Sequence, residues 1–156
     1  MSKHNKIVVR PFTKEDLLDV TEMDNCSGND VRQTVEELEY KEINDYSWGI
    51  FVNNVLVGYC TIGYADGVGD EIENHPLHGD DAYLLSDVYI KPEFRNKGYG
   101  TMLVKETIKG RFASEKKLAV FLEILNCELK DFYSKIGFEI IPDTDDFCMV
   151  LTEVKS

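Results

Sequence analysis

The sequence predicts an α/β (α+β) domain with a mixed β-sheet and helices on both of its faces. Three observations support this fold class. The 156 residues are 43% hydrophobic, which is enough apolar mass for one core and argues for a single domain over 1–156. A hairpin pattern is followed by alternating strand-like and helix-like segments. Two strand-like segments, 82–90 and 118–125, are almost continuously apolar, as expected for strands buried on both faces.

The N-terminal part predicts a strand followed by two helices. The strand covers Lys6–Phe12, and Thr13-Lys14-Glu15-Asp16 resembles a capping box, in which a Thr oxygen and an acid three residues later bind the first amides of a helix. A second helix follows Asp30. The apolar stripes are Leu17, Val20 and Met23 in the first helix, and Val31, Val35 and Leu38 in the second.

The middle of the chain predicts a hairpin and a long loop. Ser47–Val52 and Val55–Ile62 are rich in β-forming residues, and Asn53-Asn54 between them tolerates the positive φ of a tight turn. The segment 64–81 has glycines, a proline and acids but little periodicity. Since structureless connections of this length are often binding loops, we interpret it as a candidate loop at the lip of a substrate site.

The C-terminal part predicts strands alternating with helices. Ala82–Ile90 is a strand that ends at Lys91-Pro92. The remaining predicted elements are a helix over Gly98–Arg111, a strand over Leu118–Leu125, a helix over Glu128–Ile136 that ends at Gly137, and strands over Phe138–Ile141 and Phe147–Glu153.

Charge is distributed unevenly along the chain. The formal net charge is −12, which argues against nucleic acid or an anionic membrane as the main partner. Residues 42–90 carry 9 acidic and no basic groups, whereas 91–117 carry 8 basic and 3 acidic groups. This contrast suggests two chemically different ligands, and the alternative is chance clustering of charge on solvated faces.

The cysteines and histidines favour a cytoplasmic protein without a metal. The four cysteines form no CxxC pair, which is typical of reduced thiols, and we find no targeting segment or membrane span. His75 and His78 lie with Asp80 and Asp81 on a loop that contains Pro76, and such a pair of His residues without a nearby Cys is typical of a solvated loop.

The segment Arg95-Asn96-Lys97-Gly98-Tyr99-Gly100-Thr101 stands where a buried strand turns into a helix. Its glycines allow a close backbone approach, and free amides at a helix start bind pyrophosphate. The segment matches neither a P-loop nor a dinucleotide-binding fingerprint, because it lacks the Gly-Lys-Ser/Thr of the first and has Leu103 in place of the third glycine of the second. By itself it is as consistent with an ordinary loop as with a phosphate site.

Its context is more specific. Val88-Tyr89-Ile90-Lys91-Pro92-Glu93-Phe94-Arg95-Asn96-Lys97-Gly98-Tyr99-Gly100 is followed by Asn126 and by Phe132-Tyr133-x-x-x-Gly137-Phe138. This arrangement closely resembles the GNAT acetyltransferase superfamily and its (Arg/Gln)-x-x-Gly-x-(Gly/Ala) signature. The resemblance implies a twisted, mixed but mostly antiparallel sheet of six to seven strands, about four helices on both faces, and central strands 82–90 and 118–125 that splay apart.

The resemblance also implies the cosubstrate and its contacts. Backbone groups of Val88 and Ile90 would pair with the pantetheine arm of acetyl-CoA, amides from Arg95 to Thr101 would bind its pyrophosphate, and Tyr133 would be the general acid at the sulfur. The residues assigned to acetyl-CoA are Val88, Tyr89, Ile90, Arg95, Asn96, Lys97, Gly98, Tyr99, Gly100, Thr101, Asn126 and Tyr133. The alternative for Tyr133 is an aromatic residue packed beside Phe132.

The residues offer two candidates for the general base. Asp87 and Glu123 each interrupt an apolar strand, where a carboxylate must be paired, hydrogen-bonded or exposed in a cleft, so both are candidates. Many family members have a Glu near the position of Ser86, and this chain does not. A base acting through ordered water, or an acceptor that arrives deprotonated, is an equal alternative.

We therefore expect an N-acetyltransferase that transfers acetyl from acetyl-CoA to a primary amine by direct attack. Cys127 has no His base in its neighbourhood, which disfavours a covalent cysteine mechanism. The acidic stretch 42–90 suggests a cationic small amine or a peptide amine as acceptor. The competing hypothesis is a non-catalytic acyl-CoA-binding or protein-interaction module. The fold often dimerises through late strands, here 138–141 and 147–153.

Overall fold

The structure, a computed structural model, describes residues 5–27, 43–64, 82–112, 119–123, 129–141 and 148–152. Its strands are β1 (Ile7–Thr13), β2 (Ile43–Val52), β3 (Val55–Tyr64), β4 (Ala82–Ile90), β5 (Ala119–Glu123), β6 (Glu139–Ile140) and β7 (Cys148–Leu151). Its helices are α1 (Leu17–Ser27), α2 (Tyr99–Arg111) and α3 (Leu129–Ile136), with short 3-10 turns at Lys14–Asp16 and Pro92–Phe94.

The strands form one seven-stranded sheet in the order β1-β2-β3-β4-β5-β7-β6. Antiparallel pairing joins β1 to β2, β2 to β3, β5 to β7 and β6 to β7, whereas β4 and β5 are parallel. This confirms the predicted mixed, mostly antiparallel sheet. The structure describes three helices, and the predicted helix that follows Asp30 lies outside the described residues.

The chain divides into two compact units, one of residues 1–61 and 87–107 and the other of residues 62–86 and 108–156. In the first unit, the β2–β3 hairpin turns at Asn53 and Asn54, whose φ angles are 52° and 69°. The two asparagines adopt the left-handed conformation predicted for them, and the turn pairs Val52 with Val55. β2 begins at Ile43, four residues before the prediction, because Ile43 pairs with Thr13 of β1.

Helices cover both faces of the sheet in the first unit. Tyr59 of β3 belongs to a buried cluster with Val20 and Met23 of α1. The next residue, Cys60, lies 3.5 Å from Thr107 of α2, Sγ to Oγ1, and both are fully buried. Because successive side chains of a strand point to opposite faces, α1 and α2 lie on opposite faces of β3.

The predicted capping box is present, but it caps a 3-10 turn that leads directly into α1. Asp16 accepts a hydrogen bond from the Thr13 amide at 2.7 Å. Both terminal nitrogens of Arg10 also donate to its carboxylate, at 2.7 and 3.0 Å, and the guanidinium lies 4.0 Å from the centre of the Phe51 ring. Four donors thus surround one buried carboxylate, since the Thr13 hydroxyl lies at 3.2 Å.

In the second unit, a buried cluster joins β4, β5 and β7. The parallel ladder of β4 and β5 begins with the pair Ala82 and Ala119 and ends with the pair Leu84 and Phe121. Strand β4 continues to Ile90 and β5 to Glu123. The pairing of these two strands, which are expected to splay apart, thus ends before the strands themselves end. In the described part of the chain, no helix has the length and apolar content needed to cross a membrane.

Candidate functional site

The end of β4 leads through a tight turn into α2. Pro92 lacks an amide hydrogen and begins a 3-10 turn, so the strand cannot continue past Lys91. The Lys91 amide donates to the Val57 carbonyl of β3 at 2.8 Å, and the Arg95 amide closes the turn on the Pro92 carbonyl at 3.2 Å. Four residues after Arg95 the chain enters α2 at Tyr99.

The loop before α2 contains two left-handed residues. Asn96 has φ 62° and Gly98 has φ 85°, a conformation that asparagine tolerates and glycine adopts freely. Apart from Gly98 itself and its two chain neighbours, no atom of the described residues lies within 4 Å of the position that a Cβ of Gly98 would take. The first amide paired within the helix is that of Met102, which donates to the Gly98 carbonyl at 3.2 Å. The amides of residues 98–101 are thus the unpaired donors of a helix start.

Two exposed cations, Arg95 and Lys97, precede this helix start. Arg95 folds back on β4, where its Nε donates to the Ile90 carbonyl at 2.8 Å and its guanidinium lies 5.5 Å from the centre of the Tyr89 ring. Lys97 Nζ lies 5.9 Å from the centre of the Phe94 ring. Both side chains add positive charge to the N-terminal end of the helix dipole, an arrangement that favours a bound anion.

The C-terminal half of β4 is irregular at Asp87. This exposed residue has φ 53°, which breaks the regular strand backbone before the half-buried Val88, Tyr89 and Ile90. The Tyr89 ring lies 6.2 Å from that of Tyr59, centre to centre, and packs against the buried cluster of the first unit. The side chain of Tyr89 therefore anchors the strand, and its backbone is what the site can use.

Tyr133 lies in the second unit on α3 and is 9% exposed. Its ring contacts Phe132 and Phe138 edge to face, with centres 4.9 and 5.6 Å apart. Its carbonyl accepts hydrogen bonds from the amides of Gly137, at 3.2 Å, and Phe138, at 3.1 Å, which ends α3 at a glycine with φ 131°. Tyr133 thus packs as the structural alternative requires, and this packing also fixes the direction of its hydroxyl.

The other predicted site residues are placed as follows. Glu123 is exposed at the end of a strand whose preceding four residues are buried, so its carboxylate needs no buried partner. Asn126, Cys127, the loop 65–81 and its histidines lie outside the described residues. No group of three His, Cys, Asp or Glu residues that could hold a metal occurs in the ranges the structure describes.

The first unit thus brings together the predicted segments 87–90 and 95–101, joined by the contact of Arg95 with Ile90. Gly58, which lies against β4, was not among the residues predicted for the site. An isolated glycine inside a predicted strand is the signal for such a close backbone approach.

Comparisons with known protein families and with solved structures identify the family and the fold of this chain. The sequence model of the acetyltransferase (GNAT) family matches residues 17–138. The fold is similar to that of the PaiA N-acetyltransferase of Thermoplasma acidophilum in complex with coenzyme A, with 19% identity, a TM-score of 0.64, and coverage of 95% of this chain and 99% of that one. It is also similar to the N-acetyltransferase YlbP of Bacillus subtilis in complex with coenzyme A, with 15% identity, a TM-score of 0.63, and coverage of 96% and 97%. No curated protein sequence gives a significant match.

Proposed function

Because the chain belongs to the GNAT acetyltransferase family, we propose that it is an acetyl-CoA-dependent N-acetyltransferase that acts on a primary amine. The observation that carries this proposal is the start of α2, where unpaired amides follow the left-handed Gly98 and the exposed cations Arg95 and Lys97 precede it. Acetyl-CoA supplies the acetyl group as a thioester. The amine attacks it directly, without a covalent intermediate on the protein.

The residues at the start of α2 fit the pyrophosphate of acetyl-CoA. Amides 98–101 donate hydrogen bonds, and the open space at Gly98 allows an oxygen to approach the backbone. Lys97 and the terminal nitrogens of Arg95 supply charge. The backbone of Val88 and Ile90 pairs with the pantetheine arm, as the family resemblance implies. The Ile90 carbonyl keeps a lone pair for this purpose, because a carbonyl oxygen accepts two hydrogen bonds and Arg95 Nε uses one.

Two protein groups stabilise the charge that develops during transfer. A backbone amide of β4 donates to the oxyanion of the tetrahedral state, since a preorganised donor there needs no reorganisation. The Tyr133 hydroxyl donates a proton or a hydrogen bond to the departing thiolate. Edge-to-face packing against Phe132 and Phe138 supports this role, because it holds the phenol in one orientation.

Asp87 is our first candidate for the general base, and Glu123 is the second. Both carboxylates are exposed and are therefore accessible to water and to an acceptor. The backbone irregularity at Asp87 supports the order, because left-handed residues inside strands concentrate at functional sites. A base that acts through ordered water, or an acceptor that binds already deprotonated, remains the alternative.

We propose a cationic amine as the acceptor, either a small molecule or a peptide amine. The absence of Lys and Arg from residues 42–90, against nine acidic groups, supports this choice. We further propose a single-domain cytoplasmic protein, in keeping with the buried thiols of Cys60 and Cys148, and a homodimer formed through the late strands. Ile140 of β6, the last strand in the sheet order, is 46% exposed and supports that dimer.

The second candidate function is a non-catalytic acyl-CoA-binding module. Ser86 favours it, because many family members have a carboxylate near that position. Thiol release from acetyl-CoA across a panel of amines separates the two functions. We expect turnover with at least one cationic amine. Tight CoA binding without turnover on any amine would instead identify the module, and absence of CoA binding would refute both.

The Tyr133→Phe variant tests the general acid. It removes the hydroxyl and keeps the ring that packs against Phe132 and Phe138, so the fold should be preserved. We expect kcat to fall by about 10²-fold or more, with little change in CoA affinity. Phe132→Leu is the matched control, because it disturbs the same packing but keeps the phenol. Unchanged turnover in Tyr133→Phe would show that Tyr133 only packs.

A further inference from the structure

Gly58 of β3 lies directly against the backbone of the end of β4. A Cβ at this position would lie 2.5 Å from the Tyr89 carbonyl oxygen and 3.2 Å from Ile90 Cα. Cβ atoms essentially never approach other atoms closer than 3.0 Å, so a side chain at residue 58 requires the two strands to move apart by about 0.5 Å. A flexible side chain can rotate away from such a contact, but a carbonyl in a strand cannot.

Three consecutive residues of β3 position the end of β4. The Val57 carbonyl accepts from the Lys91 amide at 2.8 Å, Gly58 allows the close approach of Tyr89 and Ile90, and Tyr59 packs against the Tyr89 ring. On the other side, Arg95 Nε holds the Ile90 carbonyl at 2.8 Å. Residues 89–91 therefore have little freedom, and a displacement at Gly58 is passed to the backbone groups that follow Asp87.

We propose that Gly58 is a positioning residue for coenzyme A, which sets the place of the β4 backbone where the pantetheine arm pairs. This inference rests on the proposed function, because it requires β4 to bind the pantetheine arm. Gly58 itself does not contact the cosubstrate. Its effect is specific to the pantetheine half of CoA, because the amides that bind pyrophosphate lie beyond the turn, at the start of α2.

Gly49 of β2 offers a matched control in the same hairpin. A Cβ there would lie 2.5 Å from Phe12 Cε1 and 2.9 Å from Leu56 Cδ1. These atoms belong to side chains of the buried cluster and not to the β4 backbone. Gly49→Ala and Gly58→Ala therefore both crowd the first unit, but only Gly58→Ala forces a displacement of the strand that would bind the cosubstrate.

The test is calorimetric titration of the full-chain variants with CoA and with 3′-phosphoadenosine 5′-diphosphate, which keeps the pyrophosphate of CoA and lacks its pantetheine arm. We expect Gly58→Ala to raise the Kd for CoA by about tenfold, because the displaced strand weakens the backbone hydrogen bonds to the pantetheine arm and a loss of about 1.4 kcal/mol is a factor of ten in Kd. The Kd for 3′-phosphoadenosine 5′-diphosphate should change by less than about threefold in Gly58→Ala, and Gly49→Ala should bind CoA as the unmodified chain does.

The outcomes separate the two claims. Equal CoA affinities of Gly58→Ala and Gly49→Ala overturn the positioning role, and so does an equal loss of affinity for CoA and for 3′-phosphoadenosine 5′-diphosphate. Failure of the unmodified chain to bind CoA refutes the proposed function itself. If Gly58→Ala does not fold, the double variant Gly58→Ala/Ile90→Val is compared with the single variant Ile90→Val in the same titration. Valine has no Cδ1, so it removes the contact of Ile90 Cδ1 with the new Cβ at 2.5 Å and leaves the contact with the Tyr89 carbonyl. The same fall in CoA affinity is then expected, and its absence overturns the proposal.

Discussion

Asp87 combines two properties that substitutions can separate. It has an exposed carboxylate, and it has a left-handed backbone with φ 53° inside β4. The left-handed conformation costs an ordinary residue about 1–2 kcal/mol, whereas asparagine and aspartate tolerate it and glycine adopts it freely. Asp87→Asn therefore removes the negative charge and keeps the backbone. Asp87→Gly removes the side chain and keeps the backbone, and Asp87→Ala removes the carboxylate and disfavours the backbone.

These differences give distinct expected magnitudes. The free energy of unfolding should fall by about 1 kcal/mol more in Asp87→Ala than in Asp87→Asn, because both remove the charge but only alanine disfavours the left-handed backbone. If the carboxylate accepts the proton of the amine, kcat/KM should fall by about 10²- to 10⁴-fold in all three variants. If only the backbone matters, the loss should occur in Asp87→Ala alone.

Thiol release from acetyl-CoA and urea unfolding, measured on the same preparations, decide between these cases. Glu123→Gln is the control, since it also neutralises an exposed carboxylate on a strand. Wild-type turnover in Asp87→Asn would refute the assignment of Asp87 as the base. A large loss in Glu123→Gln together with full activity in Asp87→Asn would transfer that role to Glu123.

Two glycines with positive φ, Gly98 and Gly137, and the buried carboxylate of Asp16 can be tested by single substitutions. Gly98→Val should prevent CoA binding in a calorimetric titration, because φ is 85° at this position and a branched side chain would occupy the space that a phosphate must approach. CoA binding with unchanged affinity would refute the predicted phosphate site at the start of α2. Gly137→Ala should lower the free energy of unfolding in urea by about 1–2 kcal/mol, because φ is 131° at the residue where α3 ends. An unchanged free energy of unfolding would show that the end of α3 does not require glycine. Burial raises the pKa of the Asp16 carboxyl, but hydrogen bonds from Arg10 and Thr13 outweigh this effect and hold the pKa below its ordinary value. The ionised carboxylate therefore stabilises the fold at pH values above the ordinary pKa. This contribution is lost as the pH falls through the lowered pKa of the folded state. Asp16→Asn should therefore cost about 2 kcal/mol at pH 7 and flatten the fall of stability below about pH 5, and an equally steep fall in Asp16→Asn would contradict this.

Local signals predicted most of the fold. Asn53-Asn54 turns the hairpin as expected, because the preference of asparagine for positive φ is a property of the residue itself. Ala82–Ile90 has the predicted bounds, because a continuous apolar run ending at Lys91-Pro92 needs no distant information. The start of β2 was predicted too late, since its pairing with Thr13 of β1 depends on a residue about thirty positions away in sequence.

The sequence by itself determined the fold class, the family and the segment that would bind a phosphate, because periodicity, turn chemistry and the Arg95–Gly100 motif are local patterns. Only the tertiary structure revealed the left-handed backbone of Asp87, the hydrogen bond from Arg95 to Ile90 and the close approach of Gly58 to Tyr89. Each of these depends on where the end of β4 lies relative to β3 and to the turn before α2. That placement is set by packing and hydrogen bonds between residues distant in sequence, which no single segment encodes.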